Sequence, residues 1–163
     1  MVPIRPHRAF TLLELVLVLM VLALVLAAAA PSLGGWNRGQ RLQNAADSLL
    51  SAARWARSEA IATAMPHQLE INEGAGTYRV SRLEGQDWVP APGEFGRDKE
   101  LAAGLSMELT REDDSLTPAI DFYPNGRISP ATIEISADWG EVVTIASAGA
   151  AQPLRTVTAD GGQ

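Results

Sequence analysis

The sequence predicts an α+β protein, in which one long N-terminal helix, membrane-spanning in its first half, packs on an antiparallel β-sheet head. Three observations carry this. An apolar run extends from Phe10 to Ala30, apolar residues then recur every three to four positions from Leu42 to Ile61, and beyond Pro66 the period changes to two. Helical pattern first and strand pattern after, with no alternation between them, segregates the two kinds of structure.

The apolar run is about 21 residues, or about 31 Å as a helix, which matches the hydrocarbon core of a bilayer. Ahead of it, residues 1–9 carry Arg5 and Arg8, the basic side that stays cytoplasmic, so the rest of the chain faces outward. Glu14 is the one charge within the run. A carboxylate there costs a few kcal/mol, less near the end of the segment, and marks a functional position that needs a cation. An ordinary secretory signal would be shorter and would not contain Glu14, and cutting it after Ala30 would leave Pro31 at the new terminus. A simple signal anchor fits the length but leaves Glu14 unexplained.

Pro31, Gly34, Gly35 and Gly39 then weaken the helix, so a bend or partial melting is expected between Pro31 and Gly39. From Leu42 the apolar face comprises Leu42, Ala45, Ala46, Leu49, Leu50, Ala53, Ala56, Ala60 and Ile61, and the helix is expected to end near Met65-Pro66. Its other face carries Arg41, Gln43, Asp47, Ser51, Arg54 and Ser58. Trp36, Trp55 and Ile61 either pack on the sheet or line a subunit contact.

Residues 68–72 and 77–83 alternate polar and apolar around a Gly-containing loop and read as a hairpin. A short strand at 87–89 follows, and 90–104, rich in Pro, Gly and charge, reads as an excursion loop. Further strands are expected at 105–110, 119–123, 132–136, 141–146 and, more weakly, 154–158. Asn125-Gly126 supplies left-handed conformations for a tight reversal between strands. Trp88, Trp139 and Phe95 are expected in the core, and residues 159–163 form a loose tail.

With 163 residues, less the segments above, the chain holds one domain of ordinary size. Its net charge of −6 becomes −8 without Arg5 and Arg8, an acidity that opposes nucleic-acid binding. There is no cysteine, which excludes disulfides, Cys-ligated zinc and thiol catalysis. Two histidines, His7 ahead of the apolar run and His67 at the start of a strand, offer no ligand pair and no triad. Glu112, Asp113 and Asp114 lack the alternating ligand spacing of a calcium loop and read as solvated acids. No cofactor and no metal are expected, and a membrane-tethered enzyme or binding module would need convergent ionisable groups that the sequence does not offer.

Residues Ala9-Phe10-Thr11-Leu12-Leu13-Glu14 resemble the prepilin signal of type IV pilins and type II secretion pseudopilins. Phe122-Tyr-Pro-Asn-Gly-Arg-Ile-Ser129, followed by a Thr-Ile-Glu-Ile strand, resembles the C-terminal region of the GspH and FimT group of minor pseudopilins and pilins. The first resemblance implies cleavage between Ala9 and Phe10 by a membrane prepilin peptidase and N-methylation of Phe10. It also implies an assembly role for Glu14, which pairs with the terminal amine of a neighbouring subunit and sets the axial register. Ala9 stands where the family usually carries glycine. Pro31 falls where many pilins carry a helix-bending proline.

The implied organisation is a leader at 1–9, a transmembrane and filament-core helix at 10–30, its amphipathic continuation at 31–65, a periplasmic β-rich head at 66–158 and a tail at 159–163. The resemblance further implies a non-enzymatic minor pseudopilin of the GspH type, near the tip of a pseudopilus that exports folded proteins across the outer membrane. It would be anchored in the bacterial inner membrane with its head in the periplasm. Its partners would be other minor pseudopilins, the major pseudopilin, prepilin peptidase, the inner-membrane secretion platform and membrane lipid, with no nucleic acid. The alternative in the same group is a FimT-like minor type IV pilin acting in pilus assembly or DNA uptake, which the net acidity disfavours.

Overall fold

The computed structural model describes residues 11–111, 117–147 and 149–157, with backbone alone for 27–37. The chain divides into two units, Met1–Arg38 and Gly39–Gln163. Helix α1 (Leu12–Thr63) is assigned through both. Its backbone stays helical from residue 31 to residue 39, so the expected melting there does not occur. A proline inside a helix removes one amide donor and strains one turn, but fixes φ near the helical value, and the turns on either side can persist. The helix stops at Thr63 because Ala64 adopts a left-handed φ of 55° and Pro66 cannot continue the ladder.

In the second unit, the helix buries Leu42, Ala46, Leu49, Leu50, Ala53, Ala56 and Ala60, the face that the three-to-four spacing predicts. Small residues dominate the stripe, and a side chain as short as Ala lets a sheet approach the helix axis closely.

The hairpin forms as expected from β1 (His67–Asn72) and β2 (Thr77–Glu84), in register from His67↔Arg82 to Asn72↔Thr77. Asn72 closes its loop by accepting the Ala75 amide at Oδ1, 3.1 Å away. Strand β3 (Asp87–Pro90) pairs with β2. The segment 91–104 is irregular for most of its length, yet it is more than an excursion. It contributes β4 (Lys99–Glu100), which also pairs with β2, and it buries Ala91 and Leu101. The Val80 amide donates to the Phe95 carbonyl at 2.7 Å, and the Ala91 amide donates to the Val80 carbonyl at 2.9 Å. These bonds stitch the segment to the sheet.

The later strands are β5 (Leu105–Arg111), β6 (Ala119–Phe122), β7 (Ala131–Ala137), β8 (Val142–Ala146) and β9 (Arg155–Val157). They correct the expectation of one sheet. The first sheet runs β3-β2-β1-β6 with β4 on β2, and a second runs β5-β7-β8-β9, every pairing being antiparallel. Strand β6 joins the first sheet although its sequence neighbours β5 and β7 pair with each other in the second. Leu69, Ile71, Val80, Ile120 and Phe122 of the first sheet share one core with Met107, Ile133, Ile135 and Ile145 of the second and with the helix.

The Asn125-Gly126 reversal also differs from expectation in two ways. Gly126 alone takes a left-handed φ, at 79°, while Asn125 caps the turn by accepting the Arg127 amide at Oδ1, 3.1 Å away. The turn does not join two long neighbouring strands. It closes a bridge between Phe122 and Ile128 and then passes the chain from the first sheet to β7 in the second.

Candidate functional site

Helix α1 begins one residue after Thr11, whose Oγ1 accepts the Glu14 amide at 3.2 Å while its carbonyl accepts the Leu15 amide at 3.2 Å. Thr11 is thus the N-cap and Glu14 the third helical residue, the spacing of a capping box, with the carboxylate in the electropositive first turn. The cap is readable from Thr-x-x-Glu, and it involves the Glu14 main-chain amide rather than its carboxylate. The other residues of 12–26 are apolar, and all of them are exposed. A helix apolar on every side needs an apolar environment supplied from outside its own chain.

Among the described residues no helix is long and apolar enough to cross a membrane. The expected span continues to Ala30, and the side chains of 27–37, Pro31 and Trp36 included, lie outside the described residues. So do residues 1–10, with the expected cut between Ala9 and Phe10, and also the acids Glu112, Asp113 and Asp114 and the tail at 159–163.

The second unit holds its surfaces in place with a few polar ties. From the helix, Arg57 donates through Nε to the Gly126 carbonyl at 2.9 Å and through Nη2 to the Ala151 carbonyl at 3.3 Å. Ser48 and Tyr78 share a hydroxyl hydrogen bond of 2.7 Å, joining the helix to β2. Between the sheets, Arg111 of β5 donates to the Ala119 carbonyl and to Asp121 Oδ2 of β6, the latter at 3.2 Å, and Ser129 donates to the same carboxylate oxygen at 3.1 Å. The Arg111 side chain is 6% exposed. Glu73, in the β1–β2 loop, accepts the Leu109 amide of β5 at 2.8 Å.

On the first sheet Glu70 and Arg79 face each other in register and form an ion pair at 2.7 Å. Partial burial works to raise the Glu70 carboxyl, but the Ser81 hydroxyl, the Gln68 amide, and the hydrogen bond and charge of Arg79 outweigh it and hold Glu70 below its ordinary value. The Lys99 ammonium beside Glu94 lowers that carboxyl in the same direction.

Trp55 stacks on Phe95 at 5.2 Å between centroids and meets the buried His67 ring edge-on. Trp55 therefore packs within the head, whereas Ile61 is 53% exposed. Phe95 and Trp139 pack against the core as expected, but Trp88 is 39% exposed on the short edge strand β3, which corrects its assignment to the core. His67 hydrogen-bonds the Met65 carbonyl through Nδ1 at 3.0 Å. Among the described residues, no group of three or more His, Cys, Asp or Glu is placed to hold a metal ion.

A helix whose residues 12–26 are exposed and apolar but for Glu14, assigned on through to a helical stretch that packs on antiparallel sheets, defines a pilin-like subunit. A model of the prokaryotic N-terminal methylation motif matches residues 4–30, and the family model of type II transport protein GspH matches residues 45–157. The chain belongs to the GspH family. It is 30% identical to the type II secretion system protein H of Xanthomonas campestris pv. campestris, over 93% of this chain and 87% of that one. Its fold matches the minor pseudopilin EpsH of Vibrio cholerae with a TM-score of 0.63 at 16% identity, covering 74% of this chain and 98% of EpsH. It also matches the type IV minor pilin FimU of Pseudomonas aeruginosa, at 0.57 and 19% identity, over 76% and 92%. At such identities these two structures speak for the fold alone.

Proposed function

We propose that this chain is a minor pseudopilin of a type II secretion system, a structural subunit near the tip of the pseudopilus that helps export folded proteins across the outer membrane. The observation that carries the reading is the presence of both signatures in one chain: the methylation motif over residues 4–30 and the GspH match over residues 45–157. The first directs an apolar N-terminal helix into a filament, and the second specifies which kind of head it bears.

In this reading prepilin peptidase cuts between Ala9 and Phe10, and Phe10 is then N-methylated. The helix holds the subunit in the inner membrane, with the head in the periplasm, until it joins the other minor pseudopilins and the major pseudopilin. Glu14 neutralises the terminal amine of an adjacent protomer, so that a buried charge has a partner and the stagger between helices is set. Pro31 bends the helix where membrane and head segments meet. The role is mechanical rather than catalytic.

The decisive experiment is mass spectrometry of the chain recovered from membranes of cells with an active prepilin peptidase. Loss of residues 1–9 together with one added methyl on Phe10 supports the reading. A chain that still begins at Met1 overturns it.

A further inference from the structure

We propose that the outer face of the second sheet receives the Arg54–Ile61 face of helix α1 from a second copy of this chain. Glu108 and Glu134 stand directly opposite each other across β5 and β7, and both are exposed. Neither has a hydrogen-bond or ion-pair partner among the described residues. Like charges so placed repel, and a guanidinium set between them relieves the repulsion.

The same face continues from Glu134 to Thr144 of β8 and on to Val157 of β9, each directly opposite the next. With neighbouring strands about 4.8 Å apart, the row from Glu134 to Val157 spans about 10 Å. Val157 is 45% exposed, and Val142, two residues from Thr144 and on its side of the strand, is 52% exposed. One end of the face is therefore acidic and the other apolar.

The helix offers the complement. Arg54, Ser58 and Ile61 border a cavity of about 310 Å³ whose apolar lining includes Phe122, Ile128 and Leu154. Arg57 borders it too, but is engaged by the Gly126 and Ala151 carbonyls. Arg54 is exposed and has no partner among the described residues. Arg54 and Ile61 are seven residues apart, hence on one helix face and separated by about 10.5 Å along the axis. The two spacings agree. With the helix laid across the strands so that Arg54 sits over Glu134 and its guanidinium reaches toward Glu108, Val157 meets Ile61 at the mouth of the apolar cavity, and Thr144 lies opposite Ser58. The inference stands on these two surfaces and is independent of the processing of Phe10 and the role of Glu14.

The chain contains no cysteine, so single cysteines report the contact cleanly. Full-length Ser58→Cys and Thr144→Cys chains, distinguished by a size tag, are mixed in detergent micelles and oxidised. The expected product is the mixed disulfide, in excess over either like-with-like species. Glu108→Gln together with Glu134→Gln in the Thr144→Cys chain should cut its yield about three- to fivefold at low salt, the scale of a partly exposed ion pair. Glu134→Arg in one chain with Arg54→Glu in the other should restore it. Absence of a disulfide, only like-with-like disulfides, or a mixed yield indifferent to these charges overturns the proposal.

Discussion

Arg57 of helix α1 donates from Nε to the main-chain carbonyl of Gly126, 69 residues further along, at 2.9 Å. The bond makes the helix part of the turn that passes the chain from one sheet to the other. Removing it exposes a carbonyl that the helix had covered and loosens the second tie, to Ala151. Arg57→Ala should lower stability by about 1–2 kcal/mol, read as a drop in the melting temperature of the full chain. Arg57→Lys should recover only part of it, since one ammonium cannot reproduce the guanidinium fork. An unchanged melting temperature in Arg57→Ala would show that the turn holds without the helix.

The Arg111–Asp121 pair is the corresponding tie between the sheets, and it is more deeply buried. Arg111→Met keeps the apolar stem but leaves the Asp121 carboxylate with Ser129 and without its cation. The expected loss is about 3 kcal/mol, larger than for Arg57→Ala, because an uncompensated charge remains behind. Combining Arg111→Met with Asp121→Asn should cost less than Arg111→Met alone. Equal losses in the single and double variants, measured by denaturant unfolding, would deny the charge pairing.

Acid sensitivity follows from Glu70. Its carboxyl is lower in the folded chain than in the unfolded one, so the unfolded state takes up protons first as the pH falls. The stability it contributes is complete above the unfolded carboxylate value and is lost as the pH drops through the folded value. Glu70→Gln should therefore lower the melting temperature near neutrality, where that contribution is complete, and flatten its decline over the acidic window until variant and parent converge. A decline as steep as in the parent chain would mean that other carboxylates set it.

The Thr11 cap and the proposed intermolecular pairing of Glu14 separate by substitution. Thr11→Ala removes the hydroxyl that accepts the Glu14 amide and should weaken the first turn by about 1 kcal/mol without touching the carboxylate. Glu14→Ala removes the charge and should leave membrane insertion intact while impairing incorporation into the filament. If Thr11→Ala blocks incorporation as strongly as Glu14→Ala, an intact first turn rather than intermolecular pairing by Glu14 is what incorporation requires.

Periodicity made most elements legible. The small-residue stripe from Leu42 to Ala60 and the strands from His67 to Val157 lie close to where spacing put them, because one face of each is buried and the pattern records that burial. Which strand pairs with which left no such record. Strand β6 alternates like its neighbours, and its departure to the first sheet depends on partners far away in sequence. The Arg57 and Glu73 ties were invisible for the same reason, since each joins a side chain to a main-chain group far away in sequence, and the Arg111 tie, though only eight residues long, depends on β6 lying in the other sheet. At the N-terminus the situation is reversed: the roles proposed for Phe10 and Glu14 rest on the motif over residues 4–30, and the local geometry adds the Thr11 cap.

Gly96 controls the segment between β3 and β4. A Cβ at this position would lie 1.7 Å from the Ala91 carbonyl oxygen, which is backbone and cannot turn aside. Gly96→Ala must therefore push apart the two ends of a segment that the Val80–Phe95 and Val80–Ala91 hydrogen bonds hold together. Phe95 precedes it and stacks on Trp55, with the Lys99 ammonium 4.6 Å from the Phe95 ring centroid. The substitution should cost about 2–3 kcal/mol and disturb the Trp55 environment, visible as a change in near-ultraviolet circular dichroism. Phe95→Leu removes the stacked ring without the backbone clash, so it should reproduce the spectral change with a smaller loss of stability. A Gly96→Ala chain that keeps both its melting temperature and its aromatic spectrum would mean that the segment can open at Ala91 without dragging Phe95 away from Trp55.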